Sequence, residues 1–383
     1  MVLRSTICEI MTGSFELKCR DNGSAARRGV LRTAHGEVAT PAFMPVGTAG
    51  AVKGITPEQL RRTGAEIILA NTYHLMLRPG VDAIEQIGGL HKFMGWDGPI
   101  LTDSGGYQVF SLSSLTRIDC RGIEFASHID GAMVYLDAEG ATKIQNRLGC
   151  DIAMCLDQCP AYDCQQSELG QAVDRTIRWA KRCKNAHSSS EQMLFAITQG
   201  GTDLTLREQC TKELVGLHFD GYAIGGLGIG EGHENMIKTV RRTTAFLPED
   251  KPRYLMGVGM PNDIIAAVMQ GVDMFDCVLP TRNGRNAYAF TFDGPLRMRN
   301  NEHTNDSRPI EKDCDCYACT NFSRAAIRHF FNVGEMLGPI LTTIHNLRFY
   351  QHLMAKIRQR IESGNLARWG NEQLGRLSIW GLG

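Results

Sequence analysis

Eight short apolar segments, each followed by a glycine-rich or polar loop and then a helical stretch, predict an α/β fold. Units of this kind close most readily into a (β/α)8, or TIM, barrel. Two further observations complete the prediction: an antiparallel meander precedes the first barrel strand, and a cysteine-rich insertion follows the eighth. The predicted barrel strands lie at residues 40–47, 66–75, 99–104, 151–157, 193–199, 221–227, 253–257 and 274–279.

The meander consists of the segments FELKC, RGVLRT and GEVATP, which would cap the floor of the barrel. Amphipathic stretches such as 172–184 and 261–270 supply the helices between strands. After the third barrel strand, GIEFASH and MVYLD flank a turn with an Asp-Gly pair and predict a hairpin. We expect one domain over residues 13–383, with the cysteine-rich subdomain at about 290–350. Residues 1–12 are expected to be disordered or to precede the true start.

Composition restricts the class of protein. Of 383 residues, 41 are basic and 41 acidic, which argues against indiscriminate binding of polyanions but permits a local patch. One candidate is the arginine stripe at 282, 285, 297 and 299, although such stripes are also common on plain solvated faces. The 13 cysteines, an odd and scattered set, favour a reducing cytoplasm over a disulfide framework. No apolar run is long enough to span a bilayer, so no membrane partner is expected.

The cysteine-rich segment has the spacing C-x-C-x2-C and is followed by a distant histidine. Three thiolates and one imidazole complete the tetrahedral shell that Zn²⁺ prefers, and a complete shell leaves no open position for a substrate. We therefore expect one structural zinc ion and place the chemistry elsewhere, which argues against a catalytic zinc enzyme. The predicted ligands are Cys314, Cys316, Cys319 and His345.

Polar residues fall where several predicted strands end, and in a barrel those carboxyl ends meet at one mouth. Any one of them, taken alone, is more often a helix N-cap. Four that converge predict a binding or catalytic site. The residues are Asp103, Asp157, Gln199 and Asp276, with the Gly225–Gly226–Leu227 turn and Met256 at the remaining strand ends.

The residue types indicate a purine-like ligand. A carboxylate can accept the two parallel N–H bonds of guanine, and a glutamine amide with a free backbone N–H can donate to its carbonyl. Tyr107 and Met256 suit the two faces of a flat ring. Asp103 and Asp276 would then be available for acid–base and nucleophilic work at an anomeric carbon.

Six stretches carry a resemblance to a known family. In this order along the chain, they resemble queuine tRNA-ribosyltransferases, also called tRNA-guanine transglycosylases. The resemblance runs from about Gly13 to the C-terminal helices, and the eighth-strand motif and the zinc ligands are its most specific parts. The stretches are DSGGYQVFSL (103–112), MCLDQC (154–159), GYAIGGLGIGE (221–231), YLMGVG (254–259), DMFDCVLPTRNGRNAYAFT (273–291) and the Cys/His set.

The resemblance implies an enzyme of queuosine biosynthesis, a pentosyltransferase that exchanges guanine at the wobble position of a tRNA anticodon loop for a free 7-deazaguanine base. It implies double displacement, with Asp276 as the nucleophile that forms a covalent ribosyl intermediate and Asp103 as general acid and base. The other implied residues are the substrate-binding Asp157, Gln199, Gly226, Leu227, Tyr107, Met256, Ser104 and Glu231, and the RNA-binding Arg282 and Arg285.

Two residues bear on the incoming base. Ile229 is bulky where queuine-using relatives carry glycine, and Cys159 fits the bacterial pattern. We therefore expect the small aminomethyl base preQ1 and, as in bacterial relatives, a homodimer. The motif around Asp157 departs from the family, because LDQC stands where FDEC is usual. Gln158 thus replaces an acid, which we expect to affect selectivity or pH dependence but not to abolish activity.

Two other functions fit the same residues. An N-glycoside hydrolase would use water in place of the incoming base, and the strand-end residues alone do not separate it from a transferase. A non-catalytic tRNA-binding subunit of the same fold would not need both Asp103 and Asp276, which this chain retains.

Overall fold

The computed structural model describes residues 13–112 and 116–377 and contains the predicted barrel. Its eight strands are all parallel, and neighbours along the chain are mostly neighbours in the sheet. We call them the first to eighth barrel strands. In chain order they are Ala42–Pro45, Ile68–Ala70, Ile100–Thr102, Ile152–Met154, Met193–Thr198, Gly221–Ile224, Arg253–Leu255 and Met274–Cys277.

The barrel closes in two steps. The eighth strand pairs with the first over four residues, from Met274 opposite Ala42 to Cys277 opposite Pro45. The seam between the first and second strands is joined by a single parallel bridge between Val46 and Leu69.

Helices follow every barrel strand. The first shows why they begin where they do: the Thr56 side chain accepts from the Gln59 N–H, Gln59 bonds back to Thr56, and Pro57 occupies the first turn. No helix in the described ranges is both long and apolar enough to cross a membrane. The helices are Pro57–Arg62, Thr72–Leu77, Val81–Ile87, Leu90–Met94, Gly106–Leu112, Ala138–Leu148, Gln166–Ala186, Leu204–Val215, His233–Thr244, Pro261–Met269, Leu279–Arg285, Tyr317–Asn321, Arg324–Val333, Leu337–Glu362 and Leu366–Leu377, with a 3-10 turn at Asn301–His303.

Alternation along the strands separates two cores. Side chains such as Phe43 and Phe275 point outward and pack with the helices, whereas Met44 and Met274 fill the barrel interior. Because side chains two residues apart share a face, the interior row continues into polar residues at the mouth. The interior residues Leu69, Leu101, Ile197 and Met274 are followed two positions later by Asn71, Asp103, Gln199 and Asp276.

The predicted meander covers the opposite end, the floor. Its strands are Ser14–Arg20, Arg27–Thr33 and Gly36–Thr40, paired antiparallel in that order. Leu31 and Val38 join the interior core.

The meander is fixed to the barrel by buried polar groups. Arg27, 1% exposed, pairs with Asp273 just before the eighth strand, with Nε 2.9 Å from Oδ1. Asp151, just before the fourth strand, accepts from the His35 backbone N–H at 3.0 Å and lies 2.9 Å from His35 Nδ1 and 3.0 Å from His91 Nε2.

The hairpin after the third barrel strand is present and gains one strand, giving the antiparallel order Thr116–Ile118, Gly122–Ala126 and Met133–Asp137. The second barrel strand is shorter than expected, because the chain enters helix Thr72–Leu77 immediately after Asn71. The Asp103 carboxylate accepts the Thr72 N–H at 2.8 Å and so stabilises the start of that helix from a neighbouring strand. The prediction for residues 1–12 lies outside the described residues.

Candidate functional site

A cavity of about 430 Å³ opens at the carboxyl ends of the barrel strands. Its wall contains most of the side chains that the sequence singled out, drawn from six different strand ends or the loops that follow them. Those residues are Asp103, Ser104, Tyr107, Asp157, Gln199, Gly226, Leu227, Met256, Asp276 and Arg282, together with Cys159 and Ile229.

Asp276 ends the interior row of the eighth strand. Its Oδ1 accepts two hydrogen bonds, from Tyr254 Oη at 2.6 Å and from the Gly257 N–H at 2.7 Å. Burial raises the pKa of this carboxyl, and the two donors partly offset that effect. Both bonds orient the carboxylate through one oxygen, which leaves Oδ2 for a reacting atom.

Asp103 occupies the equivalent position on the third strand and is 6% exposed. Asn71 Nδ2 donates to Oδ2 at 2.5 Å, and the Thr72 N–H donates to Oδ1. Burial nevertheless raises the pKa of Asp103 to about 6, and the neighbouring charge of Asp276 contributes to the rise. A carboxyl with this pKa can both hold and release a proton near neutral pH, as a general acid and base must.

Asp157, Gln199 and Gly226 form a polar part of the cavity wall, which we call the polar wall. Gln199 Nε2 donates to Asp157 Oδ2 at 2.7 Å, and Ser104 Oγ lies 3.5 Å from Oδ1. Burial raises the pKa of Asp157 to about 6, so the carboxylate form predominates above that pH. Gly226 adopts a φ of +66°, a left-handed conformation that favours glycine.

The two residues predicted to contact the faces of a ring both line the cavity. Tyr107 is half exposed on helix Gly106–Leu112, and Met256 follows the seventh strand. Leu227 is buried beside Gly226. Glu231 is not part of the cavity wall: its carboxylate accepts the backbone N–H groups of Gly228 and Ile229, the latter at 3.0 Å. Glu231 therefore holds the loop that carries Leu227 and would influence a ligand through that loop.

The two predicted RNA-binding arginines differ in position. Arg282 is exposed and lines the cavity, whereas Arg285, on the same helix Leu279–Arg285, is half-buried and does not. The departure from the usual motif also lies outside the wall. Gln158 is buried with its side chain against Arg175 of helix Gln166–Ala186, so the lost acid does not remove a charge from the cavity.

The wall also contains residues that sequence reasoning did not assign to the site, among them Asn71, His74 and Tyr254. Tyr254 had a usable signal, because it lies two residues before Met256 and must share its face. Asn71 and His74 were hidden by a predicted strand that ran too far: both belong to the turn and helix after Ala70.

The four predicted zinc ligands come together in one cluster, with all ligand atoms within 4.8 Å of one another. His345 Nδ1 lies 3.6, 3.8 and 3.3 Å from the sulfurs of Cys314, Cys316 and Cys319. These separations match two ligands on one tetrahedral Zn²⁺, given Zn–S and Zn–N bonds of about 2.3 and 2.0 Å. The donor set therefore fits a structural zinc ion.

The surroundings of the cluster support the same assignment. His345 Nε2 lies 2.8 Å from the Phe290 carbonyl, which fixes the ring so that Nδ1 faces the three thiols. Residues around it, including Ile310, Ile327 and Leu341, form a small core separate from that of the barrel. The cluster joins helix Tyr317–Asn321 to the long helix Leu337–Glu362.

Comparison with known proteins agrees with this geometry. The sequence model of the family described as Queuine tRNA-ribosyltransferase matches residues 21–377. Proteins named queuine tRNA-ribosyltransferase from Desulforamulus reducens and Zymomonas mobilis are 52% and 49% identical to the chain over 364 residues, covering 95% and 94% of it and 98% and 94% of the relatives. One from Thermoanaerobacter pseudethanolicus is 52% identical over 353 residues, 92% of this chain and 94% of its own. The chain therefore belongs to the queuine tRNA-ribosyltransferase family.

Proposed function

We propose that the protein is a tRNA-guanine transglycosylase, a pentosyltransferase that replaces guanine at the wobble position of an anticodon loop with a 7-deazaguanine. The observation that carries the proposal is a pair of carboxylates with raised pKa, the buried Asp103 and the part-buried Asp276, on one cavity that also holds Asp157, Gln199 and Gly226. A binding subunit would not need two carboxylates kept at raised pKa without a basic partner.

In the first displacement, Asp276 Oδ2 attacks C1′ of the target ribose and the C1′–N9 bond breaks. The bonding electrons go to N9, and Asp103 in its protonated form supplies a proton to the departing guanine. Tyr254 and the Gly257 N–H hold Asp276 through its other oxygen, so attack needs no rotation of the carboxylate.

In the second displacement, the incoming base gives its N9 proton to Asp103, now ionised, and N9 attacks C1′. The Asp276–C1′ bond breaks and the carboxylate is regenerated. Two inversions at one carbon retain the β configuration, and the ester intermediate preserves the glycosyl bond energy, so no nucleotide triphosphate is consumed.

The base would be read by the polar wall. Asp157, ionised above pH 6, can accept from N1–H and the exocyclic amine, while the second N–H of the Gln199 amide and the Gly226 N–H can donate to O6. Tyr107 and Met256 would lie against the two faces of the ring. A hydrolase would need none of these contacts for the attacking group, because water replaces the incoming base.

For Asp276 to reach C1′ of the target ribose, the nucleotide must leave its base stack, which costs least in a single-stranded loop. Arg282 lines the cavity and is exposed, so it would be available to a phosphate of such a loop, and Arg285 would act farther along the same helix. We propose this role for both arginines, and a homodimer in the cytoplasm as the working assembly.

The incoming base is proposed to be preQ1. Ile229 lines the 430 Å³ cavity and also an adjoining one of about 220 Å³, so its side chain lies where the two meet. A bulky group at that point limits the space available to a 7-substituent. Equal incorporation of queuine and preQ1 by the purified enzyme would refute this steric argument.

The decisive experiment follows radiolabelled guanine into unmodified tRNA, with the wild type and Asp276→Asn, and looks for an enzyme–tRNA adduct on a denaturing gel. We expect exchange and an adduct with the wild type and neither with the variant. Binding of tRNA without exchange by the wild type would instead favour a non-catalytic subunit, and release of guanine without incorporation would favour a hydrolase.

A further inference from the structure

Arg207 is a fully buried arginine that forms no ion pair with any Asp or Glu of the described chain. It lies on helix Leu204–Val215 and points to the carboxyl ends of the fifth and sixth strands. Its guanidinium donates to three backbone carbonyls: Nη1 to Thr198 at 2.8 Å, Nη2 to Gly225 at 2.7 Å and Nε to Gly201 at 2.8 Å.

These carbonyls border the polar wall of the cavity. Thr198 immediately precedes Gln199, and Gly225 immediately precedes Gly226. The Gly225 N–H donates to the Thr198 carbonyl at 3.1 Å, the last backbone bond before the two strands separate. Arg207 thus joins the two chains at the point where the fifth and sixth strands give way to the site.

The wall has little tolerance for a shift of this backbone. A Cβ on Gly225 would come within 2.7 Å of Gln199 Nε2, so the sixth-strand turn packs directly on the amide. A Cβ on Gly226 would lie 3.5 Å from Arg207 Nη2, which places the guanidinium directly behind that turn. Any change in the spacing of the two strand ends would therefore move Gln199 relative to the Gly226 N–H.

Burial lowers the pKa of Arg207 to about 10, because burying a cation costs free energy. The three hydrogen bonds to backbone carbonyls offset part of that cost. An arginine fork can satisfy three fixed carbonyls at once, whereas a lysine ammonium is a point charge on a flexible stem. We propose that Arg207 is a positioning residue for base recognition, which fixes the distance between the Gln199 amide and the Gly226 N–H. The inference rests on the proposed function, since these two groups are the proposed donors to the base.

The chain provides a matched control in Arg253, at the start of the seventh strand. It is 7% exposed, burial also lowers its pKa to about 10, and it too donates to backbone carbonyls, those of Leu247 at 2.9 Å, Pro248 at 3.2 Å and Gly271 at 3.4 Å. It lies at the floor, at the other end of the barrel from the cavity. A purely structural role for buried arginines predicts the same consequences at both positions.

The experiment compares Arg207→Lys with Arg253→Lys in the full-length enzyme. We expect both to lower the melting temperature, but only Arg207→Lys to raise the KM for guanine, by about tenfold, as the weakening of one base hydrogen bond predicts. The KM for tRNA should not change in either variant, and kcat should fall less than kcat/KM for guanine. Calorimetric titration with guanine gives the same comparison without the exchange reaction.

An unchanged guanine KM and guanine affinity in a folded Arg207→Lys would overturn the inference, as would an equal rise in the guanine KM in Arg253→Lys. If Arg207→Lys does not fold, Arg207→Met, which leaves no charge to bury, carries the test with the same expected rise. Failure of the wild type to exchange guanine would count against the proposed function. In that case the calorimetric titration still decides whether Arg207 governs guanine binding.

Discussion

Buried or part-buried aspartates lie at both ends of the barrel, but their surroundings differ. At the floor, Asp273 is paired with Arg27, and Asp151 receives two histidines and two backbone N–H groups. At the mouth, Asp103, Asp157 and Asp276 receive only neutral donors from the described residues. The same residue type therefore serves stability at one end and remains available to a ligand at the other.

The pKa shifts of these aspartates also differ between the floor and the mouth. Burial alone would raise the pKa of Asp151, but hydrogen bonds from His91, the Ile100 N–H and His35 outweigh burial and lower it. At the mouth, burial prevails and raises the pKa of all three carboxyls. In this barrel, the carboxyls that have no basic partner among the described residues are those at the mouth, where a ligand would bind.

The largest effect is expected from Asp276→Asn at the mouth. We expect exchange of guanine to fall by at least about 10⁴-fold, because an amide cannot act as the nucleophile. The free energy of unfolding at neutral pH should not fall, since the variant removes a charge that has no basic partner among the described residues. Radiolabelled guanine exchange and chemical denaturation measure the two quantities; a destabilised variant would contradict the assignment of Asp276 to function.

Asp273→Asn at the floor should give the reverse. The variant leaves Arg27 buried without its charge partner, which costs about 3–5 kcal/mol of unfolding free energy. Guanine exchange, assayed well below the melting temperature, should stay within a few-fold of wild type. Because Asp273 immediately precedes the strand that carries Asp276, this variant is the matched control for the one above. Loss of exchange in fully folded protein would contradict the assignment of Asp273 to stability alone.

A substitution in the zinc cluster, like one at the floor, should lower stability without directly affecting the chemical step. Cys316→Ala removes one of four ligands, so we expect less than one zinc per chain and a melting temperature lower by several degrees, with no direct effect on the chemical step. Metal analysis and calorimetry provide the measurements. Full zinc content together with full stability would refute a structural role for Cys316.

The smallest effect concerns pH. The pKa of Asp157 is about 6 in the folded protein against an ordinary 3.8, so the folded state binds this proton more tightly than the unfolded state and loses stability as pH rises from about 4 to about 6. Asp157→Asn removes that loss and should stabilise the fold at pH 7.5 by at most about 3 kcal/mol, with a smaller gain at pH 5. Denaturation at both pH values decides: a gain that does not depend on pH would contradict the assigned pKa.

The protonation of Asp157 should also affect activity. Below pH 6 Asp157 is increasingly protonated and can no longer accept two N–H bonds, so the KM for guanine should rise as pH falls through 6. In Asp157→Asn that pH dependence should disappear from the KM.

Features that depend on local sequence patterns could be predicted, whereas features that depend on contacts between distant residues could not. The eight strands and the residues ending them followed from local patterns, since alternation carries Leu101 to Asp103 and Met274 to Asp276 along one face. The zinc ligands followed from the donor set. Predictions failed where a residue distant in sequence determines the local structure. The second barrel strand ends before Asn71 because the Asp103 carboxylate binds the Thr72 N–H, and the Gln158 side chain binds Arg175 instead of facing the cavity.

The pairing at the floor was beyond sequence reasoning altogether. Arg27 and Asp273 are separated by 246 positions in the chain, and neither has a local pattern that marks it as buried. Arg207 was missed for a similar reason: its partners are backbone carbonyls, which carry no side-chain signature.

The bond between Arg27 and Asp273 also has a temporal consequence. The meander is synthesised before the barrel, yet its buried Arg27 has no counter-charge until the segment that carries Asp273 and the eighth strand emerges from the ribosome. Asp276 arrives on that same strand, three residues after Asp273 and paired with the first barrel strand. A chain that ends before the eighth strand therefore lacks both the counter-charge of Arg27 and the proposed nucleophile, Asp276.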